Sequence, residues 1–267
     1  MINLSEIGLT KLYNPNEGQM RVVGFMSSSG SNLVKILEAE RKLEKERGVS
    51  PYKMVGIFSD RWKSRAPEIG SRFGIPVIFH GIGGFYAKSK KPFGDMEVRA
   101  EYDQITSNLL VPLHAQVIAA GGYMAAMTEV LFNEYLSVNV HPADLSILND
   151  AGERKYRGDD AVRDAILAGE KYLRSSMHII EEEVDGGRLL MASRPVEVEL
   201  PELWNPEDRE SVANVSDANQ ERLKVAGDWV IFPRTLLHLA EGRYAQDDDG
   251  NLYFDGMHIP NGLRLED

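Results

Sequence analysis

Short apolar runs and amphipathic segments alternate along most of this chain, and the alternation constrains its fold more than any other feature. The first apolar run, Met20–Met26, has the composition of a buried parallel strand. A Gly/Ser loop follows it and opens a helix predicted over Asn32–Arg47. The next predicted elements are strands at Met54–Phe58, Val77–Phe79, Gln116–Ala120 and Ser137–His141, with helices at Ala66–Phe73 and Arg99–His114. Such repeated units predict an α/β fold: a mainly parallel, Rossmann-like sheet with right-handed crossovers and helices on both faces.

The second half of the chain continues this pattern with less regular spacing. The predicted elements there are a helix at Ala161–Ala168, strands at Ser175–Ile180 and Leu189–Val198, helices at Asp217–Ala226 and Pro233–Glu241, and a C-terminal β-hairpin over Arg243–Phe254. The stretches His80–Met96 and Pro201–Ser216 are predicted to be irregular. Residues 1–19 are expected to form an extension on the surface. Residues 20–267 are expected to form a single domain, because no repeat or break in composition divides them.

Charge and residue usage exclude several classes of function. The net charge of −11 and the isoelectric point near 5.1 argue against general binding of nucleic acids or anionic membranes. Since the chain has no cysteine, it forms no disulfide, thiolate metal site or cysteine nucleophile. No apolar run reaches the roughly 18 residues of a membrane helix, and the N-terminus does not resemble a signal peptide. We therefore expect a soluble, cytoplasmic protein.

The loop after the first strand has the composition of an anion-binding site. Gly30, Ser31 and Asn32 lie where the strand ends and the helix begins. Free N–H groups and the positive end of the helix dipole attract an anion there, and small residues let a phosphate approach the backbone. The G-x-G-x-x-G spacing of dinucleotide-binding loops is absent. A serine-rich turn without a ligand is the alternative.

The strand Ser137–His141 ends in two polar side chains. Asn139 and His141 alternate with valines, so the amide and the imidazole leave the same face of the strand. Together they can hold a carbonyl oxygen and handle a proton, which acyl transfer to an amine requires. A hydrogen-bonded structural pair is the alternative.

Asp185 differs from the acidic residues that precede it. Glu181, Glu182 and Glu183 form a run of a kind that usually faces water. Asp185 is followed by Gly186 and Gly187. Because glycines let the backbone fold back, the Asp185 carboxylate is predicted to return toward the edge of the sheet.

The order of these motifs resembles that of the folate-dependent formyltransferase family. The motifs are Ser-Gly-Ser-Asn-Leu at 29–33, Gly-Ile-Pro at 74–76, Gly-Tyr-Met at 122–124, Asn-Val-His-Pro at 139–142, and His178 seven residues before Asp185-Gly-Gly. The likeness covers Met20 to the end and is nearest to the phosphoribosylglycinamide formyltransferase branch. Each motif alone is weak, but their shared order and spacing are hard to obtain by chance.

The resemblance implies a role for each of these residues. It implies the catalytic trio Asn139, His141 and Asp185, a phosphate site at Gly30, Ser31 and Asn32, a folate pocket at Tyr123, Met124, Glu182, Glu183 and Val184, and supporting residues Ser176, His178 and Asp228. Asp228 stands where the family has a glutamate that contacts the ribose. The implied partners are glycinamide ribonucleotide and the co-substrate 10-formyltetrahydrofolate, without a metal, nucleic acid or membrane, in a monomer or homodimer.

The implied mechanism assigns a charge to His141. Asn139 and a protonated His141 are expected to donate hydrogen bonds to a tetrahedral oxyanion. Asp185 is expected to raise the pKa of His141, which keeps the ring charged, and to relay the proton of the amine through water.

Two departures from the family pattern bear on the formyl acceptor. The family's Ser-Leu-Leu-Pro is here Ala143-Asp144-Leu145-Ser146, and the stretch at 147–158 is longer and more polar. A histidine near the next helix is replaced by Asp159-Asp160. Glycinamide ribonucleotide is the preferred acceptor. The alternatives are an amino sugar or another amine, water in a 10-formyltetrahydrofolate hydrolase, and a folate- or nucleotide-binding homologue without turnover.

Overall fold

A mixed sheet of eight strands runs through the middle of the protein in the computed structural model, which describes residues 8–266. The strands within these residues are β1 (Thr10–Lys11), β2 (Met20–Met26), β3 (Tyr52–Ser59), β4 (Val77–Phe79), β5 (Val117–Ala120), β6 (Leu136–His141), β7 (Tyr172–Leu173), β8 (Ser176–Ile179), β9 (Leu189–Ala192), β10 (Val196–Glu197), β11 (Tyr244–Gln246), β12 (Leu252–Phe254), β13 (Met257–His258) and β14 (Leu263–Arg264). The helices are α1 (Ser31–Arg47), α2 (Ala66–Phe73), α3 (Ile82–Ser89), α4 (Met96–Leu110), α5 (Glu129–Phe132), α6 (Ala161–Leu167), α7 (Arg209–Leu223) and α8 (Trp229–Ala240).

The main sheet is parallel apart from one strand. Its order is β14-β9-β8-β6-β5-β2-β3-β4. Strand β8 runs antiparallel to both β6 and β9, and the other neighbouring pairs are parallel. The predicted α/β fold with a mainly parallel sheet is therefore confirmed.

Helices cover both faces of this sheet because its central strands are apolar on both sides. On β2, Val22 and Met26 belong to the core layer that contains residues of α1 and α8. Val23 and Phe25 belong to the opposite layer, with residues of α4 and α5. Successive side chains of a strand point to opposite faces, so one continuous apolar run supplies both layers.

The strand order reverses next to β2, and this reversal opens a crevice. The chain proceeds from β2 outward to β3 and β4, then returns to the other side of β2 with β5 and β6. The loops after β2 and β5 meet there: Ser27 N–H donates to the Gly122 carbonyl at 3.0 Å, and Met124 N–H donates to Ser27 Oγ at 3.0 Å. Ligands of open α/β sheets bind at such a point, outside the carboxyl ends of the strands.

The C-terminal segment forms the predicted hairpin and two further strands. Strands β11 and β12 pair antiparallel, and β1 and β13 flank them. The last strand, β14, pairs with β9 at the edge of the main sheet. The N-terminal stretch thus contributes β1 to a small second sheet, while residues 1–7 of the predicted extension lie outside the described residues.

The prediction that His80–Met96 is irregular is wrong, because this stretch contains helix α3. Ile82 and Tyr86 are buried one helical turn apart, 4% and 6% exposed. Two adjacent glycines, Gly83 and Gly84, lower the helix propensity of this segment. Burial of the apolar side chains of α3 against α4 outweighs that cost.

The single strand predicted over Leu189–Val198 is also wrong. Strand β9 ends at Ala192, and β10 begins at Val196 and pairs with β7 in a separate two-stranded sheet. Pro195 lies between them and has no N–H to donate to a ladder. The apolar pattern continues across the proline, which is why the two strands look like one.

Helix α7 begins within the stretch Pro201–Ser216, which was predicted to be irregular. Asp208 is its N-cap and accepts a hydrogen bond from Ser211 N–H at 2.9 Å. A π-helical turn over Lys224–Asp228 joins α7 to α8. The chain therefore stays helical where a break between two helices was predicted. No helix within residues 8–266 is long and apolar enough to cross a membrane.

We expect Ser176→Ala to destabilise the protein by about 2–4 kcal/mol. Ser176 Oγ donates to the Ala143 carbonyl at 2.7 Å and accepts from Leu145 N–H at 3.1 Å, in a fully buried position. Its removal leaves two buried backbone groups without a partner. Urea unfolding measures the change, and Ser71→Ala on the exposed side of α2 is the control, with a shift within about 0.5 kcal/mol. Equal effects of the two substitutions would contradict the anchoring role of Ser176.

Candidate active site

A cavity of about 640 Å³ lies at the carboxyl ends of the strands, over the crevice between β2 and β5. It is lined by the loops after β2, β5 and β6, by β8 and the turn that follows it, and by the π-helical turn. Every predicted site residue other than Ser176 lines it: Gly30, Ser31, Asn32, Tyr123, Met124, Asn139, His141, His178, Glu182, Glu183, Val184, Asp185 and Asp228. The fold thus brings together residues that are separated by almost 200 positions along the chain.

The predicted anion loop lies at the N-terminus of α1. Gly30 is the N-cap in the left-handed conformation, with φ of 64°, and no side chain caps the helix. A Cβ on Gly30 would lie 2.6 Å from the side chains of Met26 and Ile69. The left-handed backbone conformation therefore favours glycine here, and a larger residue would also displace the ends of these two side chains. Since no side chain occupies the cap, the first N–H groups of α1 are available to an anion.

Asn139 and His178 are cross-strand neighbours on β6 and β8. Asn139 Nδ2 lies 3.2 Å from His178 Nε2, and His178 Nδ1 lies 2.8 Å from the Ile179 carbonyl. The Ile179 carbonyl accepts a hydrogen bond from Nδ1, which fixes the ring with Nε2 facing the Asn139 amide and the Asp185 carboxylate. His178 thereby orients Asn139, and this orientation depends on β8 running antiparallel to β6.

The carboxylate of Asp185 bridges two imidazoles. Its Oδ2 lies 3.4 Å from His141 Nδ1, and its Oδ1 lies 3.4 Å from His178 Nε2. Gly158 N–H also donates to Oδ2 at 2.9 Å. Burial by itself would raise the pKa of Asp185, but His178, His141 and Gly158 together outweigh burial and hold that pKa well below its ordinary range. Asp185 is therefore ionised although it is only 8% exposed.

His141 does not carry the predicted charge in the protein without substrate. Burial lowers the pKa of His141 below its ordinary value, and the opposing attraction of Asp185 does not compensate. The expectation that Asp185 keeps the ring charged is therefore wrong for this state. Both ring nitrogens nevertheless face acceptors, since Nε2 lies 2.9 Å from the Tyr156 carbonyl. A proton taken up by His141 would thus find an acceptor already in place for each N–H.

The turn after β8 brings Asp185 to this position at a conformational cost. Asp185 has φ of 54°, in the left-handed region that side chains other than Asn and Asp rarely adopt. A Cβ on Gly187 would lie 1.9 Å from the Ile179 carbonyl oxygen. Only glycine fits at this position, as predicted from the paired glycines.

The residues predicted for folate form the other end of the cavity. Tyr123 is held by Arg99, whose Nη2 donates to its hydroxyl at 2.9 Å, and its ring packs edge-on against Phe25. Met124 and Val184 are apolar side chains that line the cavity and are 52% and 61% exposed. Glu182 and Glu183 are exposed, and Glu183 forms an ion pair with Arg157. An apolar slot with acidic residues at its edge results.

Asp228 ends the π-helical turn and faces the anion loop. Ser175 Oγ donates to Asp228 Oδ1 at 2.5 Å. Burial raises the pKa of Asp228 to about 6, opposed by Ser175, Asn32 and Lys224. Lys224 and Gln220 also line the cavity, and neither was predicted. Their spacing of four residues from one another and from Asp228 was the signal, since such residues share one face of a helix.

Ser176 supports the cavity without lining it, because its hydroxyl is occupied by the backbone of residues 143 and 145. Among residues 8–266, no group of three or more histidine or acidic side chains is arranged to hold a metal ion.

Comparison with known proteins identifies the fold and the family. The formyl transferase family model matches residues 20–202, which is most of the chain. The chain belongs to the formyl transferase family. A phosphoribosylglycinamide formyltransferase of Haemophilus influenzae is 28% identical over 244 residues, covering 90% of this chain and 96% of that protein. The crystal structure of a phosphoribosylglycinamide formyltransferase from Anaplasma phagocytophilum superposes with a TM-score of 0.66 at 21% identity, covering 93% of this chain and all of that one.

Multifunctional relatives contain a region similar to this chain. The trifunctional purine biosynthetic protein adenosine-3 of Drosophila melanogaster is 27% identical over 229 residues. That region covers 85% of this chain but only 14% of the Drosophila protein. The match is thus to a small part of the longer relative.

We expect Asp228→Asn to gain stability relative to the wild type as pH rises. Folding raises the pKa of Asp228 from its usual 3.8 to about 6, so the folded state holds the proton more tightly than the unfolded state. That contribution is fully present below about pH 4 and is lost as pH rises through 6. Between pH 4.5 and 7.5 the difference in unfolding free energy should shift by about 2 kcal/mol in favour of the variant. Urea unfolding at the two pH values measures it, and an unchanged difference would contradict a protonated Asp228.

Proposed function

We propose that this protein transfers the formyl group of 10-formyltetrahydrofolate to the amine of glycinamide ribonucleotide. One observation carries the proposal: a single cavity contains a phosphate-type helix N-terminus after β2, an amide and an imidazole at the end of β6, and an ionised carboxylate in the turn after β8. An anionic acceptor and acyl-transfer groups are the two requirements of this reaction. Membership of the formyl transferase family and the similarity to the Haemophilus enzyme support the same assignment.

The lining of the cavity suggests how the two substrates lie. The phosphate of the ribonucleotide binds at Gly30, Ser31 and Asn32, and its ribose lies toward Asp228. The amine then reaches Asn139 and His141. The folate occupies the apolar end, between Met124 and the residues Glu182 to Val184. A cavity of about 640 Å³ is within the range usual for small-molecule sites.

The chemical step follows from the charge states of the trio. The amine nitrogen attacks the formyl carbon, which gives a tetrahedral intermediate with a negative oxygen and a positive nitrogen. Asn139 donates a hydrogen bond to the oxygen. Both nitrogens of His141 face acceptors of the protein, so the proton of the attacking nitrogen reaches the neutral ring through a water molecule and returns the same way to the departing nitrogen of the folate. Asp185 stabilises the imidazolium that exists between these two transfers, because its carboxylate lies 3.4 Å from the ring.

Calorimetric titration with glycinamide ribonucleotide tests the acceptor. We expect a dissociation constant in the micromolar range, about −8 kcal/mol, that weakens as salt rises because a phosphate dianion is bound. Ser31→Asp should weaken ribonucleotide binding at least tenfold and leave folate binding unchanged, since it places a second negative charge at the phosphate site. An aspartate at the start of α1 favours the helix, so the fold should survive.

Two outcomes of this titration would contradict the proposal. Folate binding without ribonucleotide binding at millimolar concentration would move the assignment to another amine acceptor. If Ser31→Asp weakens the binding of both ligands equally, the phosphate does not bind at this loop.

We expect Asp185→Asn to lower kcat by on the order of 10²- to 10⁴-fold, because the variant keeps the volume but loses the charge that stabilises the imidazolium. Asparagine tolerates the left-handed conformation of this position, so folding should survive. Steady-state formyl transfer to the ribonucleotide measures the effect. Asp160→Asn, an exposed residue near α6 that does not line the cavity, is the control and should stay within twofold. Near-normal turnover of Asp185→Asn would show that this carboxylate has no role in the mechanism.

A further inference from the structure

The longer loop between Pro142 and α6 forms a small hairpin beside the cavity. Leu148 and Arg154 pair as an antiparallel bridge, and Asn149 closes the turn between them through Glu153. This hairpin is the stretch in which the sequence departs from the family pattern. It turns the side chain of Arg154 back toward the turn that carries Asp185.

Arg154 contacts the backbone of the Asp185 turn through both arms of its guanidinium. Nη1 donates to the carbonyl of Asp185, and Nη2 donates to the carbonyl of Gly187 at 2.7 Å. Four residues further on, Gly158 N–H donates to the carboxylate of the same aspartate at 2.9 Å. One loop therefore holds Asp185 at its backbone and at its carboxylate.

The base of this loop is itself fixed to the C-terminal strand. Asp144 accepts from Arg264 Nη2 at 2.6 Å, and Ser146 Oγ accepts from Arg264 Nη1 at 2.9 Å. Arg264 lies on β14, at the edge of the main sheet. With the base of the loop fixed, the planar guanidinium of Arg154, bonded to the carbonyls of Asp185 and Gly187, sets both the distance and the direction of the turn.

We propose that Arg154 is a positioning residue: it holds the turn from Asp185 to Gly187 so that the Asp185 carboxylate faces His141 and His178. The turn needs this support because Asp185 is in a left-handed conformation. The catalytic consequence rests on the proposed function. The placement of Asp185 does not, since it is a property of the protein without substrate.

Arg154→Lys and Arg154→Met separate geometry from charge. Lysine keeps the positive charge but is a single point donor that cannot bond both carbonyls, and methionine removes charge and donors. We expect kcat to fall about 10- to 100-fold in both variants, with KM for the ribonucleotide within threefold. Lys155→Met removes a neighbouring charge that does not contact the turn, and kcat should stay within twofold. Full activity of Arg154→Lys would overturn the proposal, because charge alone would then suffice.

A double-mutant cycle tests whether Arg154 acts through Asp185. In the Asp185→Asn background, Arg154→Lys should lower kcat by less than threefold further, because the group that it positions is already inactive. If the loss of kcat in the double variant is the product of the two single losses, Arg154 acts independently of Asp185 and the proposal is overturned.

Titration of His141 by proton NMR gives a readout that needs no activity. The groups that face His141 are Asp185, His178, Arg154 and the Tyr156 carbonyl. Arg154→Lys keeps the charge of residue 154, so displacement of Asp185 should lower the titration midpoint of His141, and Asp185→Asn should lower it as well. An unchanged midpoint would overturn the positioning role. A lowered midpoint in a protein that does not formylate the ribonucleotide would refute the proposed function and leave the positioning role standing.

Discussion

The buried carboxylate of Asp185 is the constraint on which much of the cavity depends. An ionised group with 8% of its surface exposed is stable only when charged or hydrogen-bonding partners replace water. Here the partners are His141, His178 and Gly158 N–H. Three features of the fold bring these groups together. Strand β8 lies antiparallel to β6, the paired glycines let the turn carry Asp185 back to the sheet, and the long loop after Pro142 returns with Gly158.

The same cavity holds a second buried acid, Asp228, whose pKa is shifted in the opposite direction. Asp228 is approached by a hydroxyl and an amide rather than by two imidazoles, so burial prevails and its pKa rises to about 6. The pKa of Asp185 instead lies well below its ordinary range. The pKa values of two carboxylates in one site are thus shifted in opposite directions because their partners differ. Asp228 takes up a proton near pH 6, whereas the ionised Asp185 beside His141 stabilises positive charge.

The wrong predictions of secondary structure share a physical cause. The apolar pattern crosses Pro195 without interruption, yet the missing N–H of the proline sends β9 and β10 into different sheets. Two glycines conceal α3, whose apolar side chains pack against α4. The polar residues around Asp208 favour irregular structure, yet α7 forms and buries Val212 and Val215. In each case the contacts between elements decided against the local preference.

The periodicity of the chain was sufficient to predict the alternating strands and helices, their mainly parallel arrangement and the loop that leads from β2 into α1, because these depend on which residues face water. The motif order was sufficient to predict the family. The tertiary structure alone decided that burial outweighs the attraction of Asp185 in setting the pKa of His141, that Lys224 and Gln220 line the cavity, and that Arg154 contacts the turn that carries Asp185. Those properties depend on distances between residues that are remote in sequence. The charge of a buried side chain and its hydrogen bonds are determined only when folding sets those distances.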